Sequence, residues 1–243
     1  MVDGAMEKYD IKIDGIGTIS EGKYKNIKID GMGTIQGETE AEYIKIDGKA
    51  KSLGKIKCDE LKVDGYFTSY DDININTNCE VNGYQEVKGS IKGKYLEVNG
   101  RLSAEKEVSF DKVQVNGEFI TLGDCKCEEF YLDGKVNISG LLSGDNLELN
   151  ISKINEIKEI GGEKLSVRRS KSYYKVLFLN MERKGKLICN EIEADEIYLE
   201  HTECNIVRGR NIEIGEGCII ETIEYTGDLK ENGNSKIKNK VFL

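Results

Sequence analysis

The chain has 243 residues, a third of them charged, and a formal net charge of −9. So acidic a chain lacks the basic face that displaces counterions from phosphates, so nucleic acid is not expected as a partner. A single histidine and the absence of proline and tryptophan leave few residues for histidine-based catalysis.

Residues 1–10, MVDGAMEKYD, read as an N-terminal extension without the apolar core of a signal peptide. No later apolar run reaches bilayer-spanning length, and the expected location is the cytoplasm. Seven cysteines are an odd number, expected as thiols in a reducing compartment.

From residue 11 the chain repeats itself. IKIDG stands at 11–15, 27–31 and 44–48 and returns as LKVDG at 61–65. EVNG follows at 80–83 and 97–100, QVNG at 114–117 and YLDG at 131–134. The corner glycines fall at 15, 31, 48, 65, 83, 100, 117 and 134, at intervals of 16 to 18 residues. A fixed period of this length marks a solenoid.

Within each interval, apolar or small residues recur in three pairs spaced by two. After Gly48 these are Ala50/Ser52, Ile56/Cys58 and Leu61/Val63; after Gly100, Leu102/Ala104, Val108/Phe110 and Val113/Val115; after Gly117, Phe119/Thr121, Cys125/Cys127 and Phe130/Leu132. Each pair predicts a short strand with one buried face, and the polar residues between pairs predict corners. No stretch sustains a 3.6-residue period, and three strands in 17 residues leave no room for hairpins. The expected fold class is therefore all-β, a three-faced parallel β-helix of about twelve coils of 15–18 residues. At the DG and NG corners, glycine is expected to supply positive φ while Asp or Asn bonds its own backbone.

The regular coils are expected over 11–168. Later pairs are Leu147/Leu149, Ile160/Gly162 and Leu165/Val167, then Ile192/Ala194, Ile197/Leu199, Val207/Gly209, Ile212/Ile214 and Ile223/Tyr225. Leu165 and Ile197 lie 32 residues apart, the length of two coils, yet no apolar pair falls near Met181 and Arg183. Residues 169–187 are accordingly read as an irregular coil or protruding hairpin, 188–225 as C-terminal coils, and 226–243 as a tail or cap.

Stacked coils turn each repeat position into a column. One outward column reads Lys12, Lys28, Lys45, Lys62, Glu80, Glu97, Gln114, and two residues on the corner reads Asp14, Asp30, Asp47, Asp64, Asn82, Asn99, Asn116. Lysine accompanies aspartate, and Glu or Gln accompanies asparagine, so the columns are expected side by side as a balanced ladder. A calcium lattice would need six or more oxygens converging on one point.

Other chemical readings are weak. An acyltransferase or carbonic-anhydrase-like use of a β-helix needs a histidine base or three zinc-bound histidines, whereas His201 stands alone at an expected corner, as a solvated side chain. Cys125 and Cys127 are expected as core residues like Cys58. The run Arg168, Arg169, Ser170, Lys171 is read as a solvated face, and the GxG at 15–17 and 31–33 lacks the helix a phosphate loop requires. No catalytic residue, metal or cofactor is expected.

An uncovered coil end recruits another chain, so a solenoid is either capped or polymerises. The candidate assembly residues are Ile11, Ile13, Ile16 and Ile19 in the first coil, and Ile223, Tyr225, Val241, Phe242 and Leu243 toward the other end.

The 17-residue coils with (I/L/V)-x-(I/V)-(D/N)-G corners over 11–150, together with NIVRGRNIEIGEGCIIETIEYTG at 205–227, resemble the bactofilins, the bacterial polymer-forming cytoskeletal proteins. The resemblance implies a right-handed β-helix that assembles end to end without nucleotide. The implied role is a scaffold for cell shape or the envelope, at or near the inner face of the membrane. Implied partners are further copies of itself, another bactofilin-like protein or envelope-associated proteins. Typical members have about half as many coils, long tails and sometimes a membrane-binding segment. Direct membrane binding is therefore not expected, and a capped solenoid that serves as a protein-interaction module stands as the alternative.

Overall fold

The computed structural model describes residues 8–170, 173–176, 179–182 and 185–243. Among these the chain is all-β, without a helix, and builds a parallel β-solenoid in two compact units, residues 1–106 and 107–243.

In the first unit one coil consists of a four-residue strand and an eight-residue strand. After the corner at Gly48, Lys49–Ser52 buries Ala50 and Ser52, and Ile56–Val63 buries Ile56, Cys58, Leu61 and Val63. These are the six inward positions given by the spacing. The second and third pairs share one strand, bent where Asp59 and Glu60 both face away from the core. Hydrogen bonding thus continues through a corner that side-chain spacing marks as a break.

The rungs stack in strict register. Ile13, Ile29, Ile46, Val63, Val81 and Val98 form one core column of six coils, each residue pairing in parallel with the next. A second column runs Ile11, Ile27, Ile44, Leu61, Cys79, Leu96. β-Branched side chains fit a pleated surface covered on its inner face, which is why isoleucine and valine dominate here.

The corner glycines serve a different end from the one expected. In the first unit positive φ occurs at Gly22 and Gly37, not at the DG or NG corners. At Gly31, Gly48, Gly65, Gly83 and Gly100 an added Cβ would overlap the carbonyl of the corner glycine one coil earlier. The corner Asp does not need to bond its own backbone either. Asp47 and Gly48 both donate their N–H groups to Ile29 O at 2.9 Å, and Lys49 donates to Gly31 O at 2.9 Å. The glycine column therefore exists because two backbones touch there.

Among the described residues the second unit has seven coils, marked by the column Val115, Leu132, Leu149, Val167, Leu199, Ile214, Glu231. The two columns give one coil more than the spacing implied. After the NG and DG corners at Gly117 and Gly134 its corners smooth out: Lys135–Ile151 is a single strand of 17 residues, followed by Ile154–Arg169 with 16 and Lys186–Leu199 with 14. Leu165 pairs directly with Ile197, so the stretch between them is one coil with an inserted segment, and the midpoint pair has no place. Within the insertion, Tyr173–Val176 and Leu179–Glu182 pair antiparallel as a separate two-stranded sheet. Residues 171–172, 177–178 and 183–184, which belong to the expected 169–187 segment, lie outside the described residues, as do residues 1–7 of the N-terminal extension.

Residues 226–243, expected as a tail or cap, form the last coil. Leu229–Glu231 pairs with Thr202–Ile214, and Lys236–Phe242 pairs with Ile219–Tyr225, both in parallel.

Candidate functional site

Three features stand out from the regular wall: a charge ladder, an aromatic pair, and the coil edges.

In the ladder each lysine spans two coils. Lys12 reaches Asp14 at 2.6 Å and Asp30 at 3.2 Å; Lys28 reaches Asp30 at 3.2 Å and Asp47 at 3.7 Å; Lys45 reaches Asp47 at 2.9 Å and Asp64 at 3.6 Å. Lys62 ends the series with Asp64 at 3.9 Å and Glu80 at 2.8 Å. Where the corner turns to asparagine the bonding changes type, and Asn82 donates to Asp64 Oδ1 at 2.7 Å and Glu80 Oε1 at 2.6 Å. Burial pushes the carboxyl of Asp30 up, but hydrogen bonds from Lys12 and Lys28 outweigh it and the group lies below its ordinary value. Glu80 is lowered by hydrogen bonds from Lys62 and Asn82, while Lys62 is raised mainly by Glu80. Every carboxylate in this series already has a cationic or amide partner, which fits a structural ladder rather than a calcium site.

The aromatic pair was missed in the sequence, although it falls at the position after two successive corner glycines, Gly65 and Gly83. The Tyr66 and Tyr84 rings stack at 4.6 Å and 8°, with Lys49 Nζ 5.4 Å from the first ring's centroid and the Arg101 guanidinium 5.7 Å from the second. A cation approaching each outer face closes the stack from both sides. Ile16 and Met32 precede it in the same column, 83% and 51% exposed.

His201 sits at a corner, as expected, but it is not freely solvated. Its side chain is half-buried, with Nε2 3.3 Å from Arg169 Nη1 and 3.7 Å from Glu216 Oε1. Its φ is +45°, the one positive value among described non-glycine residues. Beside it Tyr198 donates to Glu200 at 2.5 Å, the Arg169 N–H donates to Glu200 at 2.8 Å, and the Arg168 guanidinium lies 4.2 Å from the Tyr198 ring centroid. Arg168 and Arg169 are thus engaged with their own wall. Cys125 is buried as expected, whereas Cys127 is only half-buried, because the strand Cys125–Lys126 ends before it. Among the described residues no group of three or more His, Cys, Asp or Glu side chains is placed to hold a metal ion.

The candidate assembly residues fall into two sets, each in its own unit. Ile13 and Ile19 are core residues, Ile11 is half-buried and Ile16 points outward. In the second unit Ile223 is fully buried because the last coil covers it, with Lys240 as its register partner. Tyr225 is half-buried, its ring edge-on to Phe242 at 5.4 Å, and its carbonyl accepts the Leu243 N–H at 2.9 Å. Val241 is 39% exposed, and Phe242 and Leu243 are each 67% exposed. Two further residues belong to this edge and were not singled out in the sequence. Glu231 continues the column of Ile214, Lys240 continues that of Ile223, and Lys240 Nζ meets Glu231 Oε1 at 2.6 Å.

Comparison with known proteins gives relatives for part of the chain. It is 41% identical over 105 residues to YhbF, an uncharacterized protein of Bacillus subtilis, a match covering 43% of this chain and 42% of that protein. It is 33% identical over 107 residues to YhbE, another uncharacterized protein of the same organism, covering 44% of each. The match thus spans less than half the length of these curated relatives. No family model matches the chain, and no solved structure matches it. Among the described residues no helix is long and apolar enough to cross a membrane.

Proposed function

We propose that the chain is a non-enzymatic structural protein, a bactofilin-like cytoplasmic scaffold that associates with its own kind through coil edges and without nucleotide. The observation that carries this reading is the contrast between wall and edge in the first unit. Each ladder carboxylate is paired with a lysine on the same wall, while the apolar columns continue into the first coil as Ile11, Ile13 and Ile19. Among the described residues Tyr9–Ile13 has a ladder partner on one side only, the strand Gly22–Ile29. Such an edge offers backbone donors and acceptors, with Tyr9 and Ile16 exposed beside it. End-to-end filaments that organise cell shape or envelope processes are the fullest form of this function.

The test is negative-stain electron microscopy with sedimentation velocity over a concentration series, with no nucleotide added. Species that grow larger with concentration, small oligomers or filaments, support the scaffold. Single particles at every concentration overturn self-association.

The Glu231–Lys240 pair favours a second reading, a capped solenoid that binds a protein partner through its side walls.

A further inference from the structure

We infer that the Glu231–Lys240 pair is an end cap, two charges set at core positions of the last coil that keep another coil from being added on that side. This deepens the self-association reading and rests on it only for its consequence.

The register decides where these side chains belong. In the second unit the column that ends in Glu231 is otherwise apolar: Val115, Leu132, Leu149, Val167, Leu199 and Ile214 are all fully buried. The column that ends in Lys240 passes through Leu142, Ile160, Ile192, Val207 and Ile223, again all core residues. A carboxylate and an ammonium replace isoleucine-type residues in the same coil, on two different strands. They are nine residues apart in sequence, yet they meet at 2.6 Å. Two inward side chains on separate strands make that contact only by reaching toward each other over the core.

The pair is stable where it is because water still reaches it; each side chain is 42% exposed. A coil stacked on this edge would strip that water from both ions, and the gain in their attraction does not reliably repay the loss. An inward charge on an edge strand is also a recognised way to prevent edge-to-edge pairing. Beneath the pair, Ile214 and Ile223 are fully buried although the last coil itself contains no buried residue. The last coil therefore acts as a lid on the columns rather than as another layer of core. A head-to-tail addition would place Glu231 over Ile13, which holds the same repeat position in the first coil, and leave the carboxylate facing hydrocarbon. With this edge closed, coil-edge association is left to the first unit's strand Tyr9–Ile13 and stops at small, countable species.

The decisive variant is Glu231→Ile with Lys240→Ile, which gives both columns the residues they carry one coil earlier. Sedimentation velocity and negative-stain microscopy of this protein beside the wild type should reveal species that lengthen with concentration only in the variant. An unchanged size distribution in a variant with wild-type circular dichroism overturns the cap. Long wild-type filaments would overturn it too, while leaving the scaffold reading intact.

Should the double variant not fold, hydrogen exchange on the wild type decides the matter. Amides of 236–242 whose exchange is independent of protein concentration support a closed edge. Protection that rises with concentration there means that Phe242 and Leu243 form a joint and overturns the cap.

Discussion

The two units solve one problem with different means. In the first, each coil turns sharply at a DG or NG corner, the backbones touch through a column of glycines, and a zigzag of lysine and aspartate runs up the wall. In the second, strands such as Lys135–Ile151 pass through a whole coil without a break, and the charges form short groups, as at Lys238–Glu221 or Arg208 between Glu191 and Glu224. Both keep apolar columns in register. The difference teaches that the columns define the solenoid, whereas the corner chemistry only decides how closely successive coils approach at one edge.

Glycine substitutions break this comparison most strongly. In Gly65→Ala the new Cβ would overlap Gly48 O, a backbone atom that cannot swing aside. A loss of about 3 kcal/mol is expected, as for overpacking without room to relax. At Gly161 in the second unit the nearest atom to an added Cβ is Leu141 Cδ1 at 3.7 Å, an ordinary contact. Gly161→Ala is expected to stabilise by about 0.5 kcal/mol, because it restricts the unfolded chain without straining the folded one. Urea denaturation of both variants checks the pair; equal losses would mean that the corner contact is not what demands glycine.

Buried polar side chains sharpen the comparison next. Asn155 in the second unit is fully buried and used twice, accepting from Val136 N–H at 2.8 Å and donating to Lys153 O at 3.0 Å. Asn155→Leu should cost about 2 kcal/mol, since the Val136 donor is left dry and unpaired. Gln85 in the first unit is equally buried, but among the described residues its Nε2 has no hydrogen-bond partner, and its Oε1 accepts from the Cys79 thiol at 3.9 Å. Its column neighbours are Phe67 and Leu102. Gln85→Leu is therefore expected to gain about 1 kcal/mol, and a loss of stability would show that the amide is satisfied in solution.

What the sequence made legible follows the same division. Core positions of the first unit were legible in the coil after Gly48, because a period of 16 to 18 residues with three apolar or small pairs marks them, and Ala50, Ser52, Ile56, Cys58, Leu61 and Val63 are all buried. The Lys–Asp ladder was legible for the same reason, since stacked coils make neighbours of equal repeat positions. The purpose of the corner glycines was not, because steric contact between two backbones leaves the same letter as a positive φ. The last coil was hidden by its own function. Glu231 and Lys240 remove the apolar pairs by which every other coil was recognised, so 226–243 read as a tail. The parallel pairing of Leu165 with Ile197 was hidden by the insertion, which adds about one coil's length of sequence without adding a coil.

Titration distinguishes the continuous ladder from the short groups with a smaller effect. Asp30, Asp64 and Glu80 lie below their ordinary values, so each contributes stability that is complete above the unfolded carboxylate range of about pH 4. That contribution is lost as pH falls through the lower folded value. Lys12, Lys45 and Lys62 are raised, so their share is complete below about pH 10 and is lost as pH rises through the higher folded value. Lys62→Met should bring the midpoint of Glu80 back up and that of Asp64 up more weakly, read by carboxyl carbon shifts. Lys238→Met should move Glu221 alone, because Lys238 is the cation that holds that carboxyl down. A Lys62 variant that moves only one carboxylate would mean that the ladder is a set of independent pairs.

Thiol reactivity gives the gentlest test, since its main readout needs no substitution. In the first unit Cys58 and Cys79 are walled into the core, and burial pushes the Cys58 thiol up to about 12 and Cys79 well above its ordinary range. The thiolate is the reactive form, so both should stay silent toward an aromatic disulfide reagent until the coil opens. Cys127 in the second unit is half-buried, at the point where the strand Cys125–Lys126 ends and the corner begins. It should supply the first fast phase in the native protein, and Cys127→Ser should remove that phase alone. The smooth-cornered unit is then the one with a local gap in its wall, although its strands are the longer. If Cys58 or Cys79 reacts at the Cys127 rate, the glycine-cornered coils open more readily than their packing implies, and close backbone contact at the corners does not confer rigidity.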